Sequence, residues 1–209
     1  MIGAEEAYRR LAPQYDAVAN RTRDLDAVIL REHGPSARGK TVLELGCGTG
    51  KNTEHLAPGC EKLIALDLSE EMLGFARKRI TASHVTFLRH DLRRPWPLDD
   101  AAVDLVVANL VLEHVADVAF VFGEIRRVLR RGGESFHAEL HPFRQAMGGG
   151  LEVPGLAPGS VEAYYHPISE YVNAALGEGL SLVHIGEWRD ERDEANDAAP
   201  RLLTLHFRA

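Results

Sequence analysis

Cysteine is scarce in this chain. Only Cys47 and Cys60 occur among its 209 residues. Two cysteines build no disulfide framework, and the absence of a Cys-x-x-Cys pair excludes the commonest thiolate metal sites. Long apolar runs are also missing. None approaches the roughly 20 residues needed to span a bilayer. The opening MIGAEEAYRR lacks the apolar stretch of a secretory leader. A cytoplasmic protein with no membrane partner is therefore expected. Positive charge is in deficit too, since 24 Lys and Arg stand against 31 Asp and Glu, for a net charge of -7. Nucleic-acid binding needs a basic face to displace counterions, so nucleic acid is not an expected partner. The cluster Arg126, Arg127, Arg130 and Arg131 is the local exception. It falls at the end of an expected helix, where cations complement the helix dipole.

What is present is ordinary globular material, 45% apolar and 26% charged. The length suits one domain over 1–209. Two helical patterns open it, AEEAYRRLA and DLDAVILREHG, the second placing Leu25, Val28 and Ile29 on one face and stopping at Gly34-Pro35. From residue 40, strand and helix patterns alternate. KTVLELG, KLIALD, HVTFLRHDL, VDLVVANLVL and ESFHAELH read as strands, and VDLVVANLVL is apolar enough to be covered on both faces. Between them lie KNTEHLA, a helix that Ser69 can cap, and a helix with Val118, Val121, Phe122, Ile125, Val128 and Leu129 on one face, ending at Gly132-Gly133. The Gly- and Pro-rich stretch 142–163 has no period and reads as a lid. A helix over HPISEYVNAALGEG and two strands, LSLVHIGEW and RLLTLHFRA, around a charged turn complete the chain. Such alternation implies an α/β fold with a parallel sheet, whose ligands sit beyond the carboxyl ends of the strands. The organisation expected is a helical cap over 1–37, a cofactor-binding core over 38–140, a lid over 142–166 and a C-terminal helix and strand pair over 167–209.

The sharpest signal is VLELGCGTG. A strand ends at Leu45, Gly46, Gly48 and Gly50 follow at alternate positions, and a helix begins. Glycine permits positive φ and close backbone approach, and the helix start offers free N–H groups. The next strand ends at Asp67, where a carboxylate can accept from both hydroxyls of a ribose or can cap the following helix. Position 51 is Lys, so the dinucleotide pattern G-x-G-x-x-G is absent. Glu44 would repel a pyrophosphate but suits an ammonium group. No tyrosine among Tyr164, Tyr165 and Tyr171 has a lysine four residues later, which removes a Tyr-Lys hydride-transfer pair.

VLELGCGTG resembles the first motif of the class I, Rossmann-like, S-adenosylmethionine-dependent methyltransferases, and ALDLSEEML resembles their second. RHDLRRPWPLDDAAVDLVVANLVLEHVAD and EIRRVLRRGGE resemble the blocks that follow, so the likeness spans about residues 38–140. It implies a three-layer fold with a seven-stranded, mostly parallel sheet of order 3-2-1-4-5-7-6, strand 7 antiparallel, under an N-terminal helical cap. It further implies that Glu44, Gly46, Cys47 and Gly48 lie against the methionine part of the cofactor. Asp67 would hold the ribose, Leu68 and Met72 would pack on the adenine, and Asp91 and Leu92 would bind its edge. Asn109 and Leu110 would sit beside the methionine amine. Tyr15-Asp16 resembles the pair that small-molecule members place over the cofactor, although a tyrosine there can equally be core.

Methyl transfer is a displacement in which positioning and exclusion of water do most of the work, and a base matters only if the acceptor must lose a proton. Candidate catalytic groups are His114 and His141, which follow strand ends, imidazole being suited to proton transfer near neutrality. Glu113, His114, His141, Tyr164 and Tyr165 are candidates for contact with the acceptor. His137 lies within a strand and reads as packing. No metal is expected, although His137, Glu139 and His141 alternate on one strand face. The expected protein is a monomer or homodimer that transfers a methyl group from S-adenosylmethionine to a small molecule, leaving S-adenosylhomocysteine. The alternatives are a protein of the same fold that binds S-adenosylmethionine or S-adenosylhomocysteine without turnover or serves as a partner subunit, and a nicotinamide oxidoreductase.

Overall fold

A computed structural model describes residues 1–150, 153, 157, 159–192 and 199–209. Its helices are α1 (Ala4–Leu11), α2 (Arg21–His33), α3 (Lys51–Leu56), α4 (Glu70–Arg79), α5 (Val118–Val128), α6 (Pro142–Ala146) and α7 (Ile168–Gly177). Its strands are β1 (Thr41–Leu45), β2 (Lys62–Asp67), β3 (Val85–Arg89), β4 (Val103–Asn109), β5 (Leu129–Leu140), β6 (Ser181–Trp188) and β7 (Leu202–Arg208). They form one sheet of seven strands in the order β3-β2-β1-β4-β5-β7-β6. Strands β1 to β5 run parallel, and β7 is antiparallel to both β5 and β6. This is the sheet implied by the resemblance.

Each face of the sheet is covered for a legible reason. The five residues of β1 are all buried, as are five of the seven in β4. Strands enclosed on both faces carry such runs. On one face Phe122 and Ile125 of α5 and Tyr171 of α7 pack against Leu43, Leu45, Val106 and Phe207. On the other, Ile29 and Leu30 of α2, Leu56 of α3 and Leu73 of α4 pack against Val42, Leu63 and Leu105. Side chains close the helix starts: the Asn20, Ser69 and Asp117 oxygens accept from the N–H groups of Arg23, Met72 and Phe120. The strand order reverses between β1 and β4, which opens a crevice at their carboxyl ends.

Several sequence expectations shift. Helix α2 begins three residues before Asp24, and its buried pair is Ile29 and Leu30, with Val28 exposed. The third strand is shorter than expected and the fourth stops at Asn109, after which a 3-10 turn forms over Leu112–His114. Gly132-Gly133 does not end α5. That helix stops at Val128 and β5 begins at once. Val103 pairs with Leu129 and Leu105 with Glu134, so residues 130–133 bulge opposite Asp104 alone. Gly132, at φ 78, makes that bulge possible and donates its N–H to the Ala209 carbonyl. The expected lid contains α6 and is described again from 159 onward; residues 151, 152, 154–156 and 158 lie outside the described residues, as does 193–198 of the charged turn.

Candidate functional site

The glycine loop is fastened to the end of β2. Gly46 and Cys47 both donate N–H to the Leu66 carbonyl, at 2.8 and 3.0 Å. This wrap needs left-handed backbone, which Gly46 and Gly48 supply at φ 69 and 53. The Gly48 N–H then donates to Asp67 Oδ2 at 2.8 Å, while Asp67 Oδ1 accepts from the Ser69 N–H at 2.8 Å. Asp67 thus caps the turn into α4, and it also lines a cavity of about 260 Å³ at the carboxyl ends of β1 and β4.

Acids crowd this cavity. Glu44 is 3% exposed, and its Oε2 accepts from Thr53 Oγ1 at 2.6 Å. Asp26 on α2 accepts from Asn52 Nδ2 at 3.0 Å and Asn109 Nδ2 at 2.5 Å. Burial pushes Glu44 and Asp26 up to about 7 and Asp67 up to about 6, and the negative neighbours Asp67 and Asp26 add to the rise at Glu44. Among these acids stands Arg23, 8% exposed. Its Nη1 and Nη2 donate to the carbonyls of Tyr15 at 2.5 Å and Val18 at 2.7 Å, and its guanidinium lies 4.7 Å from the Tyr15 ring centre. Its Nε is buried and has no hydrogen-bond partner, although Arg23 is part of the cavity wall.

The pH dependence follows from these groups. A carboxyl whose folded pKa is raised keeps its proton after the unfolded chain has lost it. Its stabilising contribution is complete below about pH 4 and is lost as the pH climbs towards 7. We therefore expect the stability difference between wild type and Glu44→Gln to shift against the wild type by up to about 3 kcal/mol between pH 4 and 8. Urea melts of both proteins at each pH measure it, and a constant difference would refute the assignment.

Leu110, directly after β4, lies in the left-handed region at φ 53, held by its N–H to the Ala138 carbonyl at 2.7 Å. This strained turn throws residues 111–115 across the cavity, and strain of this kind collects at functional sites. Glu139 secures the turn: its Oε1 accepts from the N–H groups of Val111 and Leu112. His114 then meets Tyr8 of α1, with Nε2 3.0 Å from the hydroxyl, and its Nδ1 lies 3.2 Å from the Glu162 carbonyl. A carbonyl can only accept, so Nδ1 carries the proton and Nε2 accepts from the tyrosine. Burial lowers the His114 pKa and keeps the ring neutral. Above lies a strap, in which Ile2 N–H donates to the Ser160 carbonyl and Glu162 N–H to the Ile2 carbonyl. A second cavity, of about 450 Å³, adjoins the first and shares Tyr8, Tyr15 and Leu110 with it.

The family profile described as a methyltransferase domain matches residues 43–136. The malonyl-[acyl-carrier protein] O-methyltransferase of Serratia marcescens is 37% identical over 127 residues, covering 61% of this chain and 48% of that protein. The chain spans about half the length of the curated relatives it matches. The crystal structure of an S-adenosylmethionine-dependent methyltransferase from Mesorhizobium loti superposes with a TM-score of 0.74 at 23% identity, over 91% of this chain and 99% of that one. Residues 43–136 thus match the methyltransferase domain family, and the chain has the fold of the S-adenosylmethionine-dependent methyltransferases. Within this fold chemistry varies. The [4+2]-cyclase SpnF superposes with a TM-score of 0.67 at 18% identity, over 88% of this chain and 74% of that one.

Most of the positions that the methyltransferase resemblance singles out do converge. Tyr15, Glu44, Gly46, Cys47, Gly48, Asp67, Leu68, Asp91, Leu92, Asn109, Leu110 and His114 all line the first cavity, and Glu113 lines the second. Four do not. Met72 is fully buried on the face of α4 turned to α1, where it packs with Ala7 and Leu11. His141 lines neither cavity: its Nδ1 accepts from the Phe143 N–H to cap α6 and its Nε2 lies 2.9 Å from Glu187 Oε1. Tyr164 donates its hydroxyl to Glu162, and Tyr165 is exposed. The Asp91 carboxylate, expected at the adenine edge, is engaged by Arg93 through Nε at 2.8 Å and Nη2 at 2.9 Å, which holds it below the usual carboxylate range. His137 packs between Phe122 and Phe207, as its place within a strand implied. Among the described residues no group of three or more His, Cys, Asp or Glu is arranged to hold a metal, and no helix is long and apolar enough to cross a membrane.

Sequence reading missed Tyr8, Arg23, Asp26 and Glu162, all in the cavity wall. Arg23 and Asp26 sit on an amphipathic helix, where charges read as a solvated face. Their one available signal is spacing: the two stand on either side of Leu25, itself on the packed side of α2.

Proposed function

We propose that this protein binds S-adenosylmethionine in the first cavity and passes its methyl group to a small molecule in the second. The observation that carries this reading is Asp67, a half-buried strand-end carboxylate aligned by two backbone amides, one from the glycine loop itself. The residues present suit the cofactor. A Cβ built on Gly48 meets nothing within 4 Å, so the loop leaves room for close approach. Glu44 and Asp26 offer negative charge to an ammonium group, and Arg23 brings positive charge to the same wall for a carboxylate. When bound, S-adenosylmethionine supplies an electrophilic methyl group on a positively charged sulfur.

The chain's own groups then position and protect. Leu110 and the 111–115 turn wall the space between the cavities, and the segment tied to Ile2 brings Glu162 to the rim of the first. His114, neutral and with Nε2 accepting, orients the Tyr8 hydroxyl, which burial keeps protonated and which belongs to the wall of both cavities. Glu113, pushed up to about 7 by burial, is a second group suited to proton exchange near neutrality.

Thermal shifts with S-adenosylhomocysteine, S-adenosylmethionine, NAD and NADP test the reading. A ligand at 100 times its dissociation constant adds about 2.7 kcal/mol, which at this size moves the midpoint by roughly 5–10 °C. Stabilisation by the two sulfur nucleosides alone is expected, and stabilisation by NAD alone would defeat it. Transfer of a labelled methyl group to an acceptor separates an enzyme from a binding protein without turnover. Arg23→Gln is expected to weaken S-adenosylhomocysteine about tenfold, from one lost charged hydrogen bond, and to leave 5′-methylthioadenosine, which lacks the amino-acid part, unaffected. Calorimetric titration of both ligands measures this, and equal weakening of the two would remove Arg23 from the amino-acid end.

A further inference from the structure

Residues 12–20 cross from α1 to α2 with no helix or strand of their own. Residues 16–19 are exposed and Tyr15 is only half-buried, so little apolar burial fixes this stretch. Short turns shape it locally, such as the Ala17 N–H to the Gln14 carbonyl at 3.0 Å. Two side chains attach it to the rest of the fold. The first is Asp16. Its Oδ1 accepts from Thr49 Oγ1 at 2.9 Å, and its Oδ2 pairs with Arg79, the last residue of α4. Thr49 is 2% exposed, stands between Gly48 and Gly50 in the glycine loop, and lines the first cavity. The second is Arg23, which donates to the carbonyls of Tyr15 and Val18. Those two carbonyls stand on either side of Asp16 in the chain. Arg23 is therefore held in the cavity wall by a stretch whose own place is set by Asp16. Asp16 takes its place from the loop that forms the floor of the proposed cofactor site. The Thr49 hydroxyl is enclosed and directional, whereas the Arg79 pair is partly exposed, and exposed pairs contribute little.

We propose that Asp16 is a positioning residue for the amino-acid end of the cofactor: through Thr49 it fixes residues 15–18, and through their carbonyls it sets the place of Arg23 in the first cavity. This rests on the cofactor reading above and adds to it a residue that lines neither cavity. Without the Thr49 bond Arg23 keeps its two carbonyls, but carbonyls and guanidinium are free to shift together. A charged group helps a bound carboxylate most when its geometry is fixed before the ligand arrives. Asp16 supplies that fixing, and it ties the placement of Arg23 to the same loop whose Gly48 amide aligns Asp67.

The test uses the full chain, with S-adenosylhomocysteine and 5′-methylthioadenosine titrated by calorimetry. If neither ligand binds the wild type, the cofactor reading falls and this proposal with it. With both bound, Asp16→Ala is expected to weaken S-adenosylhomocysteine about fivefold and to leave 5′-methylthioadenosine unchanged. The unchanged second ligand certifies that the variant folds. Asp16→Asn keeps an acceptor for Thr49 and loses the charge facing Arg79, and it is expected to stay within about twofold of wild type. In an Arg23→Gln background, Asp16→Ala is expected to cost almost nothing further, because the group it positions is already gone. A merely structural role predicts neither the difference between the ligands nor this lack of additivity. Equal weakening of the two ligands, no weakening of either, an asparagine variant as weak as the alanine one, or a loss that persists in full beside Arg23→Gln each overturn the proposal.

Discussion

Asp67→Ala is expected to reduce S-adenosylhomocysteine affinity by roughly 10²–10⁴-fold. The carboxylate is fixed before any ligand arrives, by the Gly48 and Ser69 amides, so its remaining lone pairs face the cavity without further ordering. A ribose diol would donate to it twice. Hydrogen bonds to a charged group contribute about 1.5–3 kcal/mol each, so losing two costs about 3–5 kcal/mol of binding. Asp67 also caps the turn into α4, and the variant loses stability for that reason as well. Ser69→Ala separates the two effects. Ser69 Oγ accepts from the Met72 N–H at 3.2 Å and caps the same helix, so that change lowers stability by about 1 kcal/mol and leaves affinity intact. Titration calorimetry on wild type and both variants decides the matter. An Asp67→Ala affinity within threefold of wild type would take Asp67 out of the site and leave it a helix cap.

Gly46→Ala is expected to cost roughly 4 kcal/mol of stability, for two independent reasons. Its φ of 69 lies in the region that side chains avoid, at about 1–3 kcal/mol. A Cβ there would also lie 2.8 Å from Val111 Cβ and collide with Cγ2. Overpacking of this kind costs about 1–3 kcal/mol more. Val111 cannot retreat freely, because its N–H is tied to Glu139 and it follows the strained Leu110. Gly48→Ala is the control, with positive φ but nothing within 4 Å of its Cβ, and it should lose only the strain. Chemical denaturation of the two variants measures the difference, and equal losses would mean that contact with Val111 contributes nothing.

The parts of this molecule that repeat a simple rule could be read from its residues. Runs such as KLIALD mark their strand to the residue, because a strand buried on both faces has few other ways to look. Asp67 was legible for a related reason: it stands where apolar residues stop and glycines have just passed. What escaped was direction. His141 does end a strand at the correct edge of the sheet, but its imidazole turns back to cap α6, and no spacing rule reveals that. Met72 lies one turn from the cavity yet on the wrong face of α4, because α1 packs there and claims it. Gly132-Gly133 looked like a helix stop since bulge glycines and helix-ending glycines obey the same need for positive φ. Arg23 and Asp26 were hidden because a buried charge and a solvated one share one letter, and only the third dimension separates them.

The strap joining Ile2 to residues 160–162 sets a clock. The Ile2 bonds to Ser160 and Glu162, and the Tyr8–His114–Glu162 chain that links α1 to the same segment, tie together one rim of the first cavity. On the proposed function, spent cofactor would leave past this segment, and its residence time would then depend on how often these bonds open. Turnover would then be paced by the exit of what has already reacted, and a tight mimic of the product would dwell long after its free concentration had fallen.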